Sequence, residues 1–336
     1  DLSRAVASAE DALVLLAELG DADINITRLY LTTAFASLNM AESFCTGVIR
    51  EGPDAPSPEL TRAEMLAHAI ERFEQAIASA AAVGSDADDM ADAARVGLAR
   101  ANLYAGNNAA AATAAASVAD DFVYNAEYID DPGNRGRLGN TVWAYSGATA
   151  TRESGVVGPE WRALGQGNDI STDQPFAGEE AGDPRVMWEY DGRTAQDGVH
   201  EYVFQRTLDG WDAPIPVASG LEARYIELQA AGTDIERVAF INERRAVGGQ
   251  GVFAGSGDAA LEELLQQKGR DFWMTGRRMA DWRWYTGDGA TTRSVDFSYI
   301  IEPTDAYYKP EVGEMGSQVC FPLPYDEYSR NDDITR

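Results

Sequence analysis

Arg270-Asp271-Phe272-Trp273-Met274-Thr275-Gly276-Arg277-Arg278-Met279-Ala280-Asp281-Trp282-Arg283-Trp284, followed by Cys320-Phe321-Pro322-Leu323-Pro324-Tyr325-Asp326-Glu327-Tyr328 and Asn331, is the stretch whose reading decides the fold. Leu261, Leu264 and Leu265 recur at helical spacing ahead of it, and Phe272 opens a second apolar turn that Gly276 interrupts. Arg278 and Asp281 are three residues apart, so on a helix they share a face and can pair with each other or with a neighbouring segment. Such features join helices to one another. They describe a scaffold and do not mark a binding site.

Working outward, the first third is filled by apolar-periodic segments. Ala5 to Leu19 carries Leu13, Leu15, Leu16 and Leu19, and Ile26 to Val48 carries Leu29, Leu31, Phe35, Leu38 and Phe44. The loop around Pro53, Pro56 and Pro58 must break the helix, because proline removes a donor and restricts the residue before it. Thr61 with Glu64 then has capping-box spacing, ahead of a helix through Leu66, Ile70, Phe73 and Ile77. From Ala91 to Val118 a helix pair is predicted, broken at Gly106-Asn107-Asn108 and followed by an alanine-rich run that permits close approach. Leu98, Ala99, Gly106 and Ala111 occupy the positions a tetratricopeptide unit expects, although Asn102 stands where its Tyr belongs.

Between about residues 120 and 218 the texture changes. Asn140-Thr141-Val142-Trp143-Ala144-Tyr145-Ser146-Gly147 and Val186-Met187-Trp188-Glu189-Tyr190-Asp191-Gly192 read as short strands or extended loops. Helical period returns over Gly220 to Ala231 and Ile235 to Ala246. The predicted architecture is mostly α, with tetratricopeptide-like stacked helix pairs and an irregular, partly β insert. Over the span 1–336 we expect one domain, made of N-terminal helix pairs (1–119), the insert (120–218), and C-terminal helix pairs with a tail (219–336).

The opening stretch resembles the C-terminal signature of the SusD/RagB family, surface lipoproteins that capture nutrients, mostly glycans, for TonB-dependent transporters. That pattern runs Glu-Arg-x-x-Glu-Phe-x-x-Glu-Gly-x-Arg-x-x-Asp-Leu, then Phe-Pro-Ile-Pro-x-x-Glu and an Asn. Asp271-Phe272, Gly276, Arg278 and Asp281 fall in register, whereas Gln267-Lys268 replaces Glu-Arg and Thr275 replaces the second Glu. Glu222-Ala223-Arg224 and Asn242-Glu243-Arg244-Arg245 resemble the family's helix carrying a Glu and its following Asn-x-x-Arg. The resemblance covers roughly residues 27 to 130 and 183 to 331. It implies a SusD-like fold, an outer-membrane location on the cell surface, a SusC-like TonB-dependent transporter as partner, and a lipid anchor. The chain starts at Asp1 with neither a leader nor an acceptor cysteine, although the resemblance implies both, so the expectation is either a processed or trimmed form or an anchor upstream of that residue.

Composition limits the alternatives. The formal net charge is -28, and Lys268 and Lys309 are the two lysines among 27 basic residues. Such a surface repels nucleic acid and anionic lipid, since neutralising phosphates requires clustered positive charge. Cys45 and Cys320 are the two cysteines, and they permit either one disulfide or two separate buried thiols. His68 and His200 are the two histidines, in segments of different kind, and His68 reads as a solvated or capping residue. No dense ligand spacing implies a metal, and no cofactor is expected. Asp86, Asp88 and Asp89 lack the spacing of a calcium loop and read as a solvated helix start. Gly249-Gln250-Gly251 superficially matches a dinucleotide fingerprint, but it follows a helix rather than a strand and reads as a loop.

The chemistry that remains is aromatic. Trp143, Tyr145, Trp161, Trp188, Tyr190 and Trp211 fall in the irregular segment, with Arg206 and Asp212 available as polar help. A sugar's apolar face can lie on an aromatic ring while polar side chains receive its hydroxyls. Hiding roughly 60 Å² of apolar surface at ~25 cal/mol per Å² gives about 1.5 kcal/mol per ring. The alternative for each ring is the core of the small sheet. The expected function is non-catalytic capture of oligosaccharides or similar nutrients. The rival is a structural or interaction module on the same scaffold, and no nucleophile, base or metal set argues for an enzyme.

Overall fold

A computed structural model of the chain describes residues 2–16, 23–53, 55–148, 153, 155, 157–169, 182–286 and 320–323. Helices α1 (Leu2–Leu16), α2 (Ile24–Ser43), α3 (Arg62–Val83), α4 (Asp88–Tyr104) and α5 (Asn108–Ala115) occupy the first third, with a ribbon of β1 (Thr46–Val48) and β2 (Glu59–Thr61) between α2 and α3. The middle holds β3 (Val123–Ala126), short helices α6 (Arg135–Leu138), α7 (Thr141–Ser146) and α8 (Pro159–Leu164), and strands β4 (Gly165–Asp169), β5 (Asp183–Thr194), β6 (Glu201–Gln205) and β7 (Ile215–Ser219). Helices α9 (Gly220–Ala231), α10 (Asp234–Val247), α11 (Asp258–Asp271) and α12 (Arg278–Thr286) follow.

Helix starts are chemically specified. Thr61 and Glu64 close a capping box on α3, and Thr233 with Glu236 does the same for α10. Two sequence expectations need correction. α2 stops at Ser43 and does not run to Val48, because Phe44 turns extended (φ −107°, ψ 153°) and Thr46 to Val48 ladder against β2. Residues 141–146 are helical, not extended, because Asn140 caps them by accepting from the amides of Val142 and Trp143.

Helices α2 and α3 pack as antiparallel neighbours, Thr27 meeting Ser79 and Ser37 meeting His68. Phe73 of α3 lies on Gly97 of α4 so closely that a Cβ there would come within 2.2 Å of the ring. The same ring meets Phe35 of α2 edge-on at 4.9 Å. His68 is not solvated, which corrects its reading as a surface residue. It is buried on the inner face of α3, with Nδ1 3.0 Å from Ser37 Oγ and Nε2 3.5 Å from Glu10. Glu10 fastens α1 through two bonds from Arg72, at 2.7 and 3.1 Å. Burial opposes its ionisation, yet the bonds from His68 and Arg72 outweigh that and hold its carboxyl below the usual range.

The apolar core of α1 to α5 continues into Ala223 and Ile226 of α9 and Ala280 of α12, and a second cluster joins Tyr225 and Leu228 to Ile241, Leu264 and Phe272. The crossing point is ionic. Glu222 of α9 is fully buried and accepts from Arg100 Nη1 of α4 at 2.8 Å and from Arg277 Nε and Nη2 at 2.8 and 3.0 Å. Arg100 Nε also lies 2.9 Å from Glu42 of α2, at an angle that makes an ion contact but no hydrogen bond. Beside this knot Lys268 Nζ, fully buried, donates to Asp281 Oδ1 at 2.7 Å and to Gln229 Oε1 at 2.9 Å, and Tyr104 Oη donates to the same Asp281 oxygen. Asp281 is thus held by helices α4 and α11, while the Arg278 guanidinium lies 4.4 Å from the centre of the Trp161 ring.

The insert leaves and re-enters through one ribbon. β3 and β7 pair antiparallel, so residues 127–214 begin and end side by side at the foot of α9. Within it β4 pairs parallel with β5, and β5 antiparallel with β6. At the other end of the chain the Cys45 and Cys320 sulfurs are bonded, with Cα atoms 5.1 Å apart. Phe321 bridges to Phe44, its carbonyl accepting from Cys45 N and its amide donating to Ser43 O, both at 2.8 Å. Pro324 to Tyr328 and Asn331 lie outside the described residues.

Burial works against ionising Glu222, but Arg100 and Arg277 hold its pKa down to about 2 from an ordinary 4.5. A depressed carboxyl contributes stability that is present above pH 4.5 and lost as pH falls toward 2. Glu222→Gln should therefore lower unfolding free energy by about 3 to 5 kcal/mol at neutral pH. The gap to wild type in urea titrations should close as pH drops through that window, and a gap independent of pH would contradict the assignment. Separately, the disulfide closes a sequence separation of 275 residues. Reduction should cost about 5 kcal/mol in the chain-entropy picture, and a Cys45→Ala, Cys320→Ala double variant should show the same loss without further response to reductant.

Candidate ligand-binding site

The rings singled out in the insert divide by burial. Trp188 is fully buried, its indole within 2.0 Å of where a Cβ on Gly167 would sit, and the Arg162 guanidinium lies 5.5 Å from its centre. Trp143 is also buried, lying on the backbone of Gly147. Neither can offer a face to a sugar, which corrects their place among the candidate platforms. The cause is the sheet itself: alternate residues of β5 point inward, and Trp188 with Val186, Val203 and Trp273 forms the insert's core. Tyr190 and Trp161 are half-buried at the edge of this cluster. One face of Trp161 is occupied by Arg278, and Trp273 lies 6.0 Å away at 40°.

Tyr145 and Trp211 are placed differently. Tyr145, on α7, is 40% exposed. Trp211 is half-buried in the loop between β6 and β7, with the Arg135 guanidinium 5.2 Å from its ring centre. Asn140 brings these two segments together. Its side-chain oxygen caps α7, its Nδ2 donates to Ala213 O at 2.8 Å, and its backbone N–H donates to Trp211 O at 2.7 Å. Leu138 is 40% exposed, and its carbonyl accepts from the amide of Ile129, itself 59% exposed. Asp212 is exposed next to Trp211. Arg206 pairs with Glu189 at 2.7 Å and Asp209 at 2.6 Å, so it braces the loop rather than standing open as a donor.

The candidate region is therefore α6, α7 and the 209–214 loop, joined through Asn140, with Tyr145 and Trp211 as the rings it carries and Asp212 and Arg135 as polar neighbours of Trp211. Sequence reasoning missed Asn140 and Arg135. The signal for the first was present, since Asn followed by Thr141-Val142-Trp143 is a helix-cap pattern. Arg135 carries no local pattern, because its partner Trp211 is 76 residues away in sequence.

A second polar cluster lies where the insert meets the helices. Asp271 accepts from Arg185 Nη1 of β5 at 3.0 Å, from Arg244 Nε and Nη2 of α10 at 2.8 and 2.7 Å, and from Tyr225 Oη of α9 at 2.6 Å. Asp183 pairs with Arg185, and Gln250 donates to Asp183 Oδ2 at 2.9 Å. Asn242 fixes the adjoining loop by exchanging two hydrogen bonds with the backbone of Phe253, at 2.7 and 2.9 Å. The Gly249-Gln250-Gly251 run belongs to this loop after α10. Among the described residues no group of three or more His, Cys, Asp or Glu could hold a metal ion, and no helix is long and apolar enough to cross a membrane.

Neither a family model nor a curated protein matches the chain. Solved structures do. A SusD superfamily protein from Bacteroides vulgatus aligns with 99% of this chain and 82% of its own at a TM-score of 0.63 and 15% identity. One from Parabacteroides distasonis aligns over 98% and 82% at 0.59 and 15%. A laminarin-binding SusD-like protein aligns over 92% and 77% at 0.57 and 15%. The chain has the SusD-like fold.

Burial separates the rings experimentally. Trp188→Ala should cost about 3 to 5 kcal/mol of stability, whereas Trp211→Ala should cost about 1 kcal/mol, the scale of its contact with Arg135. Equal losses in denaturant titrations would place Trp211 in the core as well.

Proposed function

We propose that this chain captures oligosaccharides or similar polymeric nutrients at the cell surface, without catalysis, and delivers them to a SusC-like TonB-dependent transporter in the outer membrane. In this reading a lipid anchor preceding Asp1 tethers it to the outer face. The observation that carries the proposal is a pair of partly exposed rings, Tyr145 and Trp211, on segments joined by Asn140 in a SusD-like fold. A structure with the same fold is named for binding laminarin, and a glucan presents the apolar ring faces that Trp211 and Tyr145 can receive.

The pair suits weak, reversible capture. Two platforms at about 1.5 kcal/mol each, set against the cost of association, place affinity nearer millimolar than nanomolar. Release to a transporter requires such weakness. Asn140 keeps the two ring-bearing segments in fixed relation, so little ordering is left for binding to bring about.

A glycan panel titrated against intrinsic tryptophan fluorescence tests this. Trp211→Ala should weaken binding about tenfold, the effect of one ring, and the Trp211→Ala, Tyr145→Ala pair should abolish it at nearly unchanged melting temperature. Full affinity in the double variant would remove these rings from the site. A chain that binds no glycan but co-purifies with a surface protein would favour an interaction module on the same scaffold.

A further inference from the structure

Trp211 is placed by one short segment. Helix α6 is four residues long and is closed by local bonds: Asn134 N donates to Asp131 O at 2.8 Å, Gly139 N to Arg135 O at 2.9 Å, and Ile129 N to Leu138 O at 2.8 Å. Asp131 braces the entry, its side chain accepting from Gly133 N and Asn134 Nδ2 at 2.9 and 2.7 Å. A helix this short does not persist by itself, so these bonds keep it in place. The next amide, that of Asn140, donates to Trp211 O at 2.7 Å, which ties the backbone of Trp211 to the end of α6.

Two residues of this segment meet the ring itself. Arg135 and Gly139 are four apart, which puts them on one side of the helix. The Arg135 guanidinium, bonded to Asp130 at 2.5 and 3.1 Å, lies 5.2 Å from the Trp211 ring centre. Gly139 is buried against the indole, and a Cβ there would stand 2.8 Å from Trp211 Cε3. Gly136 of the same helix is exposed, and a Cβ there would meet nothing within 4 Å. The φ of −85° and ψ of 160° at Gly139 are open to any residue, so backbone conformation is not what excludes a side chain. Its space is taken by the Trp211 ring and by the Arg135 carbonyl oxygen, also 2.8 Å from that Cβ. An added methyl must displace the indole, the end of α6, or both, and either movement changes where the ring lies.

We propose that Gly139 is a positioning residue for ligand capture: its missing side chain is the seat of the Trp211 ring, and a side chain at 139 moves that ring out of its place in the site. The part in capture rests on the function proposed above, in which Trp211 receives the ligand. The seat itself does not.

The test uses the whole chain, and because it holds seven tryptophans the emission of Trp211 is taken as the difference between each protein and its Trp211→Phe counterpart. Gly139→Ala should shift the emission maximum and the acrylamide quenching of that component, whereas Gly136→Ala should leave both as in wild type. In laminarin titrations Gly139→Ala should weaken binding by about fivefold, part of what one ring contributes. In a Trp211→Ala background it should cause no further loss, since a residue that acts through the ring has nothing left to act on. Gly139→Ala should also lower the melting temperature more in wild type than in Trp211→Ala. The contact with Arg135 O is common to both backgrounds, so the difference isolates the ring. A Trp211 component unchanged by Gly139→Ala, or equal drops in melting temperature in the two backgrounds, would overturn the seat. Full laminarin affinity in Gly139→Ala, or losses that add in the double variant, would overturn its part in capture while leaving the capture function standing. If wild type gives no laminarin response, or Trp211→Ala binds as tightly as wild type, the capture function falls and takes that part of the proposal with it, and the emission and melting measurements still decide whether Gly139 seats the ring.

Discussion

One buried carboxylate organises the helical frame. Glu222 receives Arg100 from α4 and Arg277 from the turn before α12, so a single residue of α9 ties the N-terminal helices to the C-terminal ones. Arg277 also donates to Pro216 O and Val217 O, which fixes β7, the strand by which the insert returns. Taking these ions out of water is expensive, and apolar residues of the same shape can be as stabilising. What the ions add is geometry. A bidentate pair sets the angle and register between helices in a way that alanine-rich faces, with few protruding side chains, cannot.

The insert is held by fewer constraints. Its β3–β7 ribbon roots it at the foot of α9, and the Asp271 cluster ties β5 to α9, α10 and α11. Between those attachments, the segments carrying Tyr145 and Trp211 are braced by Asn140 and by the Arg206 pairs. Loops supported in this way can change composition without disturbing the scaffold.

What the sequence disclosed follows from the range of each signal. The capping box at Thr61 and Glu64, the Gly106 break and the return of helical period at Gly220 are local, and the helices stand where those signals put them. Burial of Trp188 was not legible, because an aromatic-rich strand looks the same whichever face it turns to the core, and Trp143, which reads as extended, lies on a helix. Nor was the end of α2, where apolar periodicity runs on past Ser43 and the ladder with β2 takes over. The charge clusters are the least legible of all: Glu222 and Arg100 are 122 residues apart, and Asp271 and Arg185 are 86. Only a motif already tied to a fold, such as Asp271-Phe272 with Gly276 and Asp281, reaches across such distances.

The last two turns of α11 are where the two charge clusters meet. Lys268 faces the frame, satisfied by Asp281 and Gln229, while Asp271 two residues beyond Gly269 faces the insert and collects three donors' worth of positive and phenolic groups. Lys268 and Gln267 stand where the resembled pattern has Arg and Glu, and the exchange has a structural consequence. Lysine makes a point contact and needs only the two acceptors it finds, and Gln267, uncharged, bonds Arg185 without neutralising it.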